Sequence, residues 1–395
     1  MIFETKKLFY EDSRLSSFDA TVLGVEPLKK GFGIILDKTA FYPEGGGQPA
    51  DRGKLFCSSG EVSIFDVYEK DGIILHRADK PVGVGEAVSG RIDWPWRFEL
   101  MQHHTAEHIV SGIIHSIHKL DNVGFHMGSE SVTIDVSGAL NDSQISEVEI
   151  AANKVIYENK EVLASFPSEE ELERLSYRSK KKLSGQVRIV SIPDADVCAC
   201  CGLHASRTGE VGIVKITSFQ KYKGGTRLSL LAGLKAFADY SEKSCGIDAA
   251  SSLLSSKQDE IPAAIKRILD ENAILKQAVS SFKAQDNERR AAMIPDGARL
   301  AVSFEEGASA FDIRLSCLAL CKKAEIAAVF SVSADGVKYA IGSFSSDCRS
   351  LAEDLNKAFG GRGGGKPELV QGAAYADPES LRSHLLEYFG SFAEV

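Results

Sequence analysis

The sequence predicts an α+β protein of several domains, and two observations support this fold class. At about 100 to 200 residues per domain, 395 residues correspond to two to four domains. The hydrophobic pattern also changes along the chain, from short alternating runs to helical periodicity, then to a heptad seam, and finally to alternating helices and strands. We therefore expect four regions, residues 1–88, 89–245, 246–295 and 296–395.

The first region, residues 1–88, is predicted to be a small β-barrel. Short apolar runs alternate with Gly and Pro punctuation, a pattern typical of closely spaced strands and tight turns. The clearest of these runs are residues 21–25, 33–36, 60–67 and 72–76.

The second region, residues 89–245, mixes helices and strands. Residues 94–118 repeat apolar positions with helical spacing and predict a helix of about six turns. The later elements we expect are a strand at 131–136, a helix at 143–158, and strands at 187–192 and 212–216.

The third region, residues 246–295, is predicted to be a helical linker. Its apolar positions alternate four and three residues apart from Ile261 to Phe282, and Asn272 lies inside this seam. A buried amide in a heptad seam fixes register and partner number. The segment is either a homodimeric coiled coil or one arm of an intramolecular hairpin, and we favour self-association because so short a helix is marginally stable alone.

The last region, residues 296–395, is predicted to be an α/β domain. We expect a helix at 312–322, strands at 326–332 and 337–342 joined by an Asp335-Gly336 turn, and a helix at 347–359. This domain is a second place where two copies of the chain could join.

Charge and hydropathy restrict the partners and the compartment. The chain carries a net charge of -9, yet residues 171–235 hold twelve Lys and Arg against five Asp and Glu. A basic patch on an acidic protein suits one polyanion bound in one place. No run reaches the roughly 18 apolar residues that span a bilayer, and the first residues lack a signal pattern, so we expect a cytoplasmic protein without a membrane partner.

The strongest chemical pattern is a set of metal-ligating residue types. His104 and His108 are four residues apart on the predicted helix and therefore share a face. Cys200 and His204 would complete a tetrahedral set of three nitrogens and one sulfur, which Zn²⁺ favours. The zinc-peptidase signature His-Glu-x-x-His is not met, because Thr105 follows the first histidine.

A second pattern is a glycine-rich loop at residues 39–53. Gly45, Gly46 and Gly47 permit close backbone approach to a ligand, whose polar ends would meet Thr39 and Gln48. A tight turn of the barrel would explain these glycines equally well.

The ordered motifs resemble a known family. Thr-x-Phe-Tyr-Pro-Glu-Gly-Gly-Gly-Gln, then His-Thr-Ala-x-His, then Cys-x-Gly-x-His followed by Thr-Gly-Glu-Val-Gly resemble the editing domain of alanyl-tRNA synthetase. They resemble even more the free-standing alanyl-tRNA editing proteins of the AlaX family, in the long form with an extra C-terminal domain. The resemblance covers nearly the whole chain.

That resemblance implies a zinc site and an amino-acid pocket. The implied ligands of one Zn²⁺ per chain are His104, His108, Cys200 and His204, while Thr39 and Gln48 line the pocket and act on the substrate. Cys201 is a rival ligand, since the synthetase reads Cys-Gly-Gly-Thr-His at this motif, and Cys198 is a weaker rival. Cys200 is preferred because it lies four residues before His204.

The glycine-rich stretch 360–367 is similar to the end of the DHH-associated domain of alanyl-tRNA synthetase. It is not a phosphate loop that binds magnesium, because Pro367 replaces the required Ser or Thr. The DHH catalytic motifs are absent, and nothing before the match would bind ATP, so we expect neither a phosphodiesterase nor a synthetase. The predicted substrate and tRNA contacts are Gly45, Gly46, Gly47, Lys180, Lys181, Lys182, Arg227, Arg362 and Lys366.

The resemblance thus implies a β-barrel, a zinc-containing editing domain, a helical linker and a DHH-associated-like domain. The implied activity is hydrolysis of serine, and often glycine, from mischarged tRNA(Ala). Thr39 is the candidate that recognises the serine hydroxyl. The alternatives are a tRNA-binding module with a structural zinc and a deacylase of another aminoacyl-tRNA.

Overall fold

The structure is a computed structural model that describes residues 5–128, 131–179 and 186–395. The chain falls into two compact units, Met1–Ala249 and Ala250–Val395. The boundaries of the four regions expected from the sequence stay a prediction.

The first unit begins with a closed barrel, as predicted. Its strand order is β2-β3-β7-β6-β5-β8, while β1 and β4 form a separate parallel pair. The elements are β1 (Lys6–Lys7), α1 (Leu8–Glu11), β2 (Ser17–Pro27), β3 (Phe32–Leu36), β4 (Lys38–Thr39), β5 (Gly53–Cys57), β6 (Gly60–Lys70), β7 (Ile73–Ala78) and β8 (Ala87–Ile92).

The rest of this unit is the predicted mixture of helices and strands. Sheets of order β14-β15-β10-β9 and β11-β12-β13 accompany the long helix α2. The elements are α2 (Trp94–His118), β9 (Asn122–Met127), β10 (Val132–Val136), α3 (Asp142–Tyr157), β11 (Leu163–Ser165), α4 (Glu169–Arg174), β12 (Ile189–Ile192), β13 (Asp196–Ala199), β14 (Val214–Tyr222), β15 (Gly225–Ala232) and α5 (Gly233–Leu254).

Helix α2 begins and ends where local chemistry dictates. The Asp93 side chain accepts a hydrogen bond from the backbone N–H of Trp96, and a proline lies in the first turn. The helix ends at Lys119, whose φ of 57° is left-handed. Nearly every residue from Leu100 to Ile114 is buried, so α2 is a core helix.

One buried ion pair attaches α2 to the barrel. The Arg97 guanidinium binds the Asp51 carboxylate through Nε, at 2.8 and 2.9 Å, and through Nη2. It also donates to the carbonyls of Ser13 and Ala40. Both charged side chains are fully buried.

The second unit contains the long helix α6 and a six-stranded sheet of order β19-β20-β18-β17-β16-β21. The elements are α6 (Ile261–Met293), β16 (Leu300–Glu306), α7 (Ala310–Leu320), β17 (Ile326–Ser333), β18 (Gly336–Gly342), α8 (Arg349–Ala358), β19 (Arg362–Lys366), β20 (Leu369–Ala374), α9 (Pro378–Phe389) and β21 (Ala393–Glu394). The helices and strands expected here are present within two residues of their predicted bounds.

The apolar seam of α6 is exposed. Leu275 and Phe282 are 64% and 71% exposed. Self-association through Ile261–Phe282 or through the C-terminal domain stays a prediction. In the described part of the chain, no helix combines the length and the apolar character needed to cross a membrane.

Replacing Arg97 by Met should lower the free energy of unfolding of the first unit by about 3 to 5 kcal/mol, because the buried Asp51 carboxylate loses its partner. Tryptophan fluorescence during urea unfolding measures this unit, since both tryptophans of the chain, Trp94 and Trp96, lie in it. The matched control is Lys243→Met, which removes an exposed ion pair with Asp239 and should cost about 0.5 kcal/mol or less. Equal losses in the two variants would contradict the role given to Arg97.

Candidate metal centre and editing site

The structure brings the four predicted metal ligands together. One donor atom each from His104, His108, Cys200 and His204 lies within 4.8 Å of the others. The Nε2 atom of His104 is 3.4 Å from the Cys200 sulfur. The first two ligands lie on α2, and the other two lie on the loop after β13.

Each histidine of the cluster is oriented by a polar neighbour at its Nδ1 atom. A ring whose Nδ1 binds an acceptor presents its Nε2 lone pair to a metal. The three pairs are His104 with Gln48 Oε1 at 2.9 Å, His108 with Asp196 Oδ2 at 2.8 Å, and His204 with Thr105 Oγ1 at 3.3 Å.

The electrostatics of the cluster favour a thiolate at Cys200 and a neutral ring at His204. Burial opposes ionisation of the Cys200 thiol, but the imidazoles of His104 and His108 outweigh it and hold the pKa of Cys200 well below its usual value. Burial and the nearby His104 hold the pKa of His204 well below its usual value, which keeps that ring neutral.

These residues fit Zn²⁺. Three imidazole nitrogens and one thiolate are a donor set that zinc prefers over magnesium or calcium. The Nε2 atom of His204 is buried and has no hydrogen-bond partner among the described residues, as expected of a metal-binding atom.

The structure separates the rival cysteines. Within the described ranges, Cys201 belongs to neither group of side chains that could hold an ion, and its sulfur lies 4.0 Å from the Tyr42 hydroxyl. Cys198 does form a second group with His108 and Asp196. Both Asp196 oxygens already bind Arg178, at 2.7 Å each, so this group is the weaker candidate.

The glycine-rich loop lies against the ligand loop. Gly45 and Gln48 exchange two backbone hydrogen bonds, and Gly46 and Gly47 turn the chain with positive φ. The Gln48 Oε1 atom also accepts from the backbone N–H of Leu203, at 2.8 Å. Gln48 therefore joins the loop to both the helix and the ligand loop, while its Nε2 has no partner among the described residues.

Gly202 is required by this close approach. A Cβ atom at this position would lie 2.0 Å from the His104 ring. A larger residue would therefore displace a metal ligand.

Thr39 lies on β4 and contacts the barrel strand β7 through His76. It is fully buried, its Oγ1 lies 2.8 Å from Nε2 of His76, and it accepts from the backbone N–H of Phe41. Burial lowers the pKa of His76 to about 4, so this ring is neutral. Its Nδ1 donates to the Ile34 carbonyl, which leaves Nε2 to accept the Thr39 proton. Thr39 is not among the residues that line the cavity described next, and its contact with the substrate stays a prediction.

A cavity of about 1350 Å³ opens onto the cluster. His104, His108 and Cys200 line it together with Gly46 and Gly47. The Phe125 ring, which also lines it, stacks on His104 with centroids 5.2 Å apart. The ligands and the glycine loop thus share one space.

Sequence reasoning missed several residues of this site. Asp196 belongs to no motif of the sequence, and Phe125 looks like an ordinary strand residue. Arg188 was expected only as one of the phosphate-contacting residues of the basic segment 171–235. Thr105, which orients His204, lies between the two histidines of α2 in the sequence. This position was the one sign that it belongs to the site. Glu107 is buried and accepts from Ser111 at 2.7 Å, so it is not a solvated surface group.

The predicted tRNA contacts are spread over both units. Arg227 binds Asp135 through two hydrogen bonds of 2.6 and 2.7 Å and stacks over the Tyr222 ring. Arg362 and Lys366 are the exposed ends of β19. Lys180, Lys181 and Lys182 lie outside the described residues.

Metal content should distinguish the three cysteines. Cys200→Ser should weaken zinc binding by more than the roughly 10- to 100-fold typical of losing a supporting neighbour, because it removes a ligand itself. Cys201→Ser and Cys198→Ser should retain one zinc per chain. The measurement is metal per protein by mass spectrometry after dialysis against a chelator. Loss of zinc in Cys201→Ser, with zinc retained in Cys200→Ser, would reassign the ligand.

Two family models match parts of the chain. Residues 9–96 match the family model described as tRNA synthetases class II (A), and residues 187–229 match the threonyl and alanyl tRNA synthetase second additional domain. The C-Ala domain of Aquifex aeolicus alanyl-tRNA synthetase is 20% identical over 24% of this chain and 90% of that domain, with a TM-score of 0.21, too low to support an argument.

Curated relatives align over most of the chain. The alanyl-tRNA editing protein AlaX-L of Pyrococcus horikoshii is 28% identical, over 99% of this chain and 100% of that protein. The alanine–tRNA ligase of Halorubrum lacusprofundi is 30% identical, over 96% of this chain and 44% of the ligase. The alanine–tRNA ligase of Halobacterium salinarum is 35% identical, over 73% of this chain and 32% of the ligase. The chain spans all of the editing protein and less than half of each ligase. Over its full length the chain thus resembles the AlaX family of alanyl-tRNA editing proteins.

Proposed function

We propose that this chain is an aminoacyl-tRNA hydrolase that removes serine, and with it glycine, from mischarged tRNA(Ala). One observation carries the proposal: three of the four predicted metal ligands, His104, His108 and Cys200, line the same cavity as Gly46 and Gly47 of the glycine loop. Similarity to an alanyl-tRNA editing protein over its full length supports the reaction class and the tRNA.

The reaction requires modest assistance. An aminoacyl ester is already activated, so positioning the ester and a water molecule supplies much of the acceleration. A zinc ion held by His104, His108, Cys200 and His204 would supply a Lewis acid at this end of the cavity.

The chain's own residues orient the site. Gln48 holds Nδ1 of His104 and so fixes which nitrogen faces the cluster. The carboxylate of Asp196 does the same for His108 and is itself held by Arg178. Burial raises the pKa of Asp196, whereas its hydrogen bonds with His108 and Arg178 lower it. The partners prevail, and the pKa of Asp196 lies below its usual value. We therefore assign Gln48 and Asp196 as positioning residues.

The two alternatives make different demands on the site. A structural zinc in a tRNA-binding module is favoured by a full set of four protein ligands. It does not explain why His104, His108 and Cys200 line a large cavity. A deacylase of another aminoacyl-tRNA would use the same ligands, but the curated relatives named above are all alanine systems.

Basic side chains outside the cavity would contact the tRNA backbone. We propose this role for Arg227, Arg362, Lys366 and residues 180–182. Arg227 would exchange part of its bond with Asp135 for a phosphate. Binding through these residues would weaken as the salt concentration rises.

Purified protein should deacylate Ser-tRNA(Ala) much faster than Ala-tRNA(Ala). The His104→Ala, His108→Ala double variant should lose at least about 100-fold in rate, because the cluster no longer positions the ester. Circular dichroism would verify that the variant is folded. If the wild-type protein binds tRNA(Ala) but hydrolyses neither ester, the structural-zinc alternative is correct. Gly-tRNA(Ala) in the same assay tests the glycine activity.

The selectivity prediction concerns Thr39. If its hydroxyl recognises serine, Thr39→Val should narrow the ratio of serine to alanine deacylation rates by about tenfold, the value of one hydrogen bond. Thr39→Ser keeps the hydroxyl and should preserve the ratio. An unchanged ratio in Thr39→Val, with lower thermal stability, would show that this hydroxyl serves only its bond with His76.

A further inference from the structure

The cavity continues well beyond the metal ligands. Besides the metal ligands, it is lined by the charged and aromatic side chains Lys6, Lys7, Tyr10, Glu69, Asp71, Phe166 and Arg188. A volume of about 1350 Å³ is larger than the 300 to 1,000 Å³ of a typical small-molecule pocket, and a seryl group alone would leave most of it unfilled. The remaining space therefore has room for a larger part of the substrate.

Arg188 presents a buried positive charge to this space. Its side chain is 9% exposed, and its Nη1 donates to the carbonyls of Cys200 and Gly202 at 3.0 and 2.7 Å. No carboxylate among the described residues pairs with it. The two lysines of the cavity differ, because Lys7 binds Glu69 at 2.8 Å and Lys6 binds Glu11 at 3.0 Å. A buried cation whose charge is not neutralised favours an anionic ligand.

Aromatic rings lie beside this charge. The Arg188 guanidinium is 5.1 Å from the centre of the Tyr10 ring, which in turn meets Phe166 edge to face at 5.7 Å. The Tyr10 hydroxyl donates to the Cys201 carbonyl, which holds its ring in place. Phe166 is 43% exposed and offers a ring face for stacking. A planar base stacks on such rings whatever its sequence.

We propose that Tyr10, Phe166 and Arg188 form a nucleotide subsite for the 3'-terminal adenosine of the tRNA. Arg188 binds the 5'-phosphate of this nucleotide, and its base stacks on Phe166. The inference rests on the proposed function, because it takes the ester to lie at the metal ligands. Only the ribose separates the ester from the 5'-phosphate, so both ends must fit one cavity. Arg188 meets this condition, since it binds the loop that carries Cys200.

Binding of AMP and adenosine to the full chain tests the subsite without requiring hydrolysis. Calorimetry should show that the wild-type protein binds AMP more tightly than adenosine. Phe166→Ala should weaken both ligands about tenfold, the effect of losing one stacking contact. Arg188→Met should weaken AMP by at least about tenfold and adenosine little, because only AMP has the phosphate. Lys7→Met, a paired cation of the same cavity, is the matched control and should change neither.

Zinc content and hydrolysis separate the possible failures. If Arg188→Met loses metal because its loop shifts, Phe166→Ala decides alone, provided that this variant retains its zinc; the ring contact of Phe166 is with Tyr10. AMP binding that is absent, or is unchanged in Phe166→Ala, overturns the subsite even if serine is hydrolysed. AMP binding that behaves as expected in a protein without deacylase activity supports the subsite and overturns the proposed hydrolysis.

Discussion

The ion pair between Arg97 and Asp51 is the constraint on which the site depends. Arg97 lies seven residues before His104, about two turns along α2, and its guanidinium binds a carboxylate of the glycine-rich segment. Asp51 also accepts from the backbone N–H of Tyr42, so both ends of this segment are held against one helix. A rigid helix fixed at one point places its later residues reproducibly. This is why Gln48 meets His104 at hydrogen-bond distance.

The second requirement is that the buried polar groups satisfy one another. Arg178, Asp196 and His108 form a continuous chain of hydrogen bonds that ends at a metal-binding nitrogen. In a low dielectric, each unpaired member of such a chain would be costly. The Thr105 hydroxyl donates to the Met101 carbonyl and accepts from the Ala205 N–H and from His204. The polar neighbours thus determine which atoms of the cluster remain available.

Features that depend on local sequence patterns could be predicted, whereas contacts between residues distant in sequence could not. The bounds of helix 94–118 follow from its periodicity, and the ligands follow from two short motifs. Asp196 is 88 residues from His108 in sequence, and no local pattern shows that its hairpin packs beside α2. The bond of Thr39 with His76, 37 residues away in sequence, could not be read from the sequence either, and the contact of Thr39 with the substrate stays a prediction. No strand was predicted for the glycine stretch 362–366, yet it is an edge strand because β20 supplies its backbone partners.

Arg188 binds the loop that carries Cys200 and also lines the cavity. One guanidinium nitrogen donates to the carbonyls of Cys200 and Gly202. Cys200 is a predicted metal ligand, and Gly202 is the glycine that approaches His104. The planar fork leaves further N–H groups for a second acceptor. An anion bound by those groups would share its cation with the backbone of the metal loop. Under the proposed subsite, the same guanidinium would therefore contact both the bound nucleotide and the loop that carries Cys200.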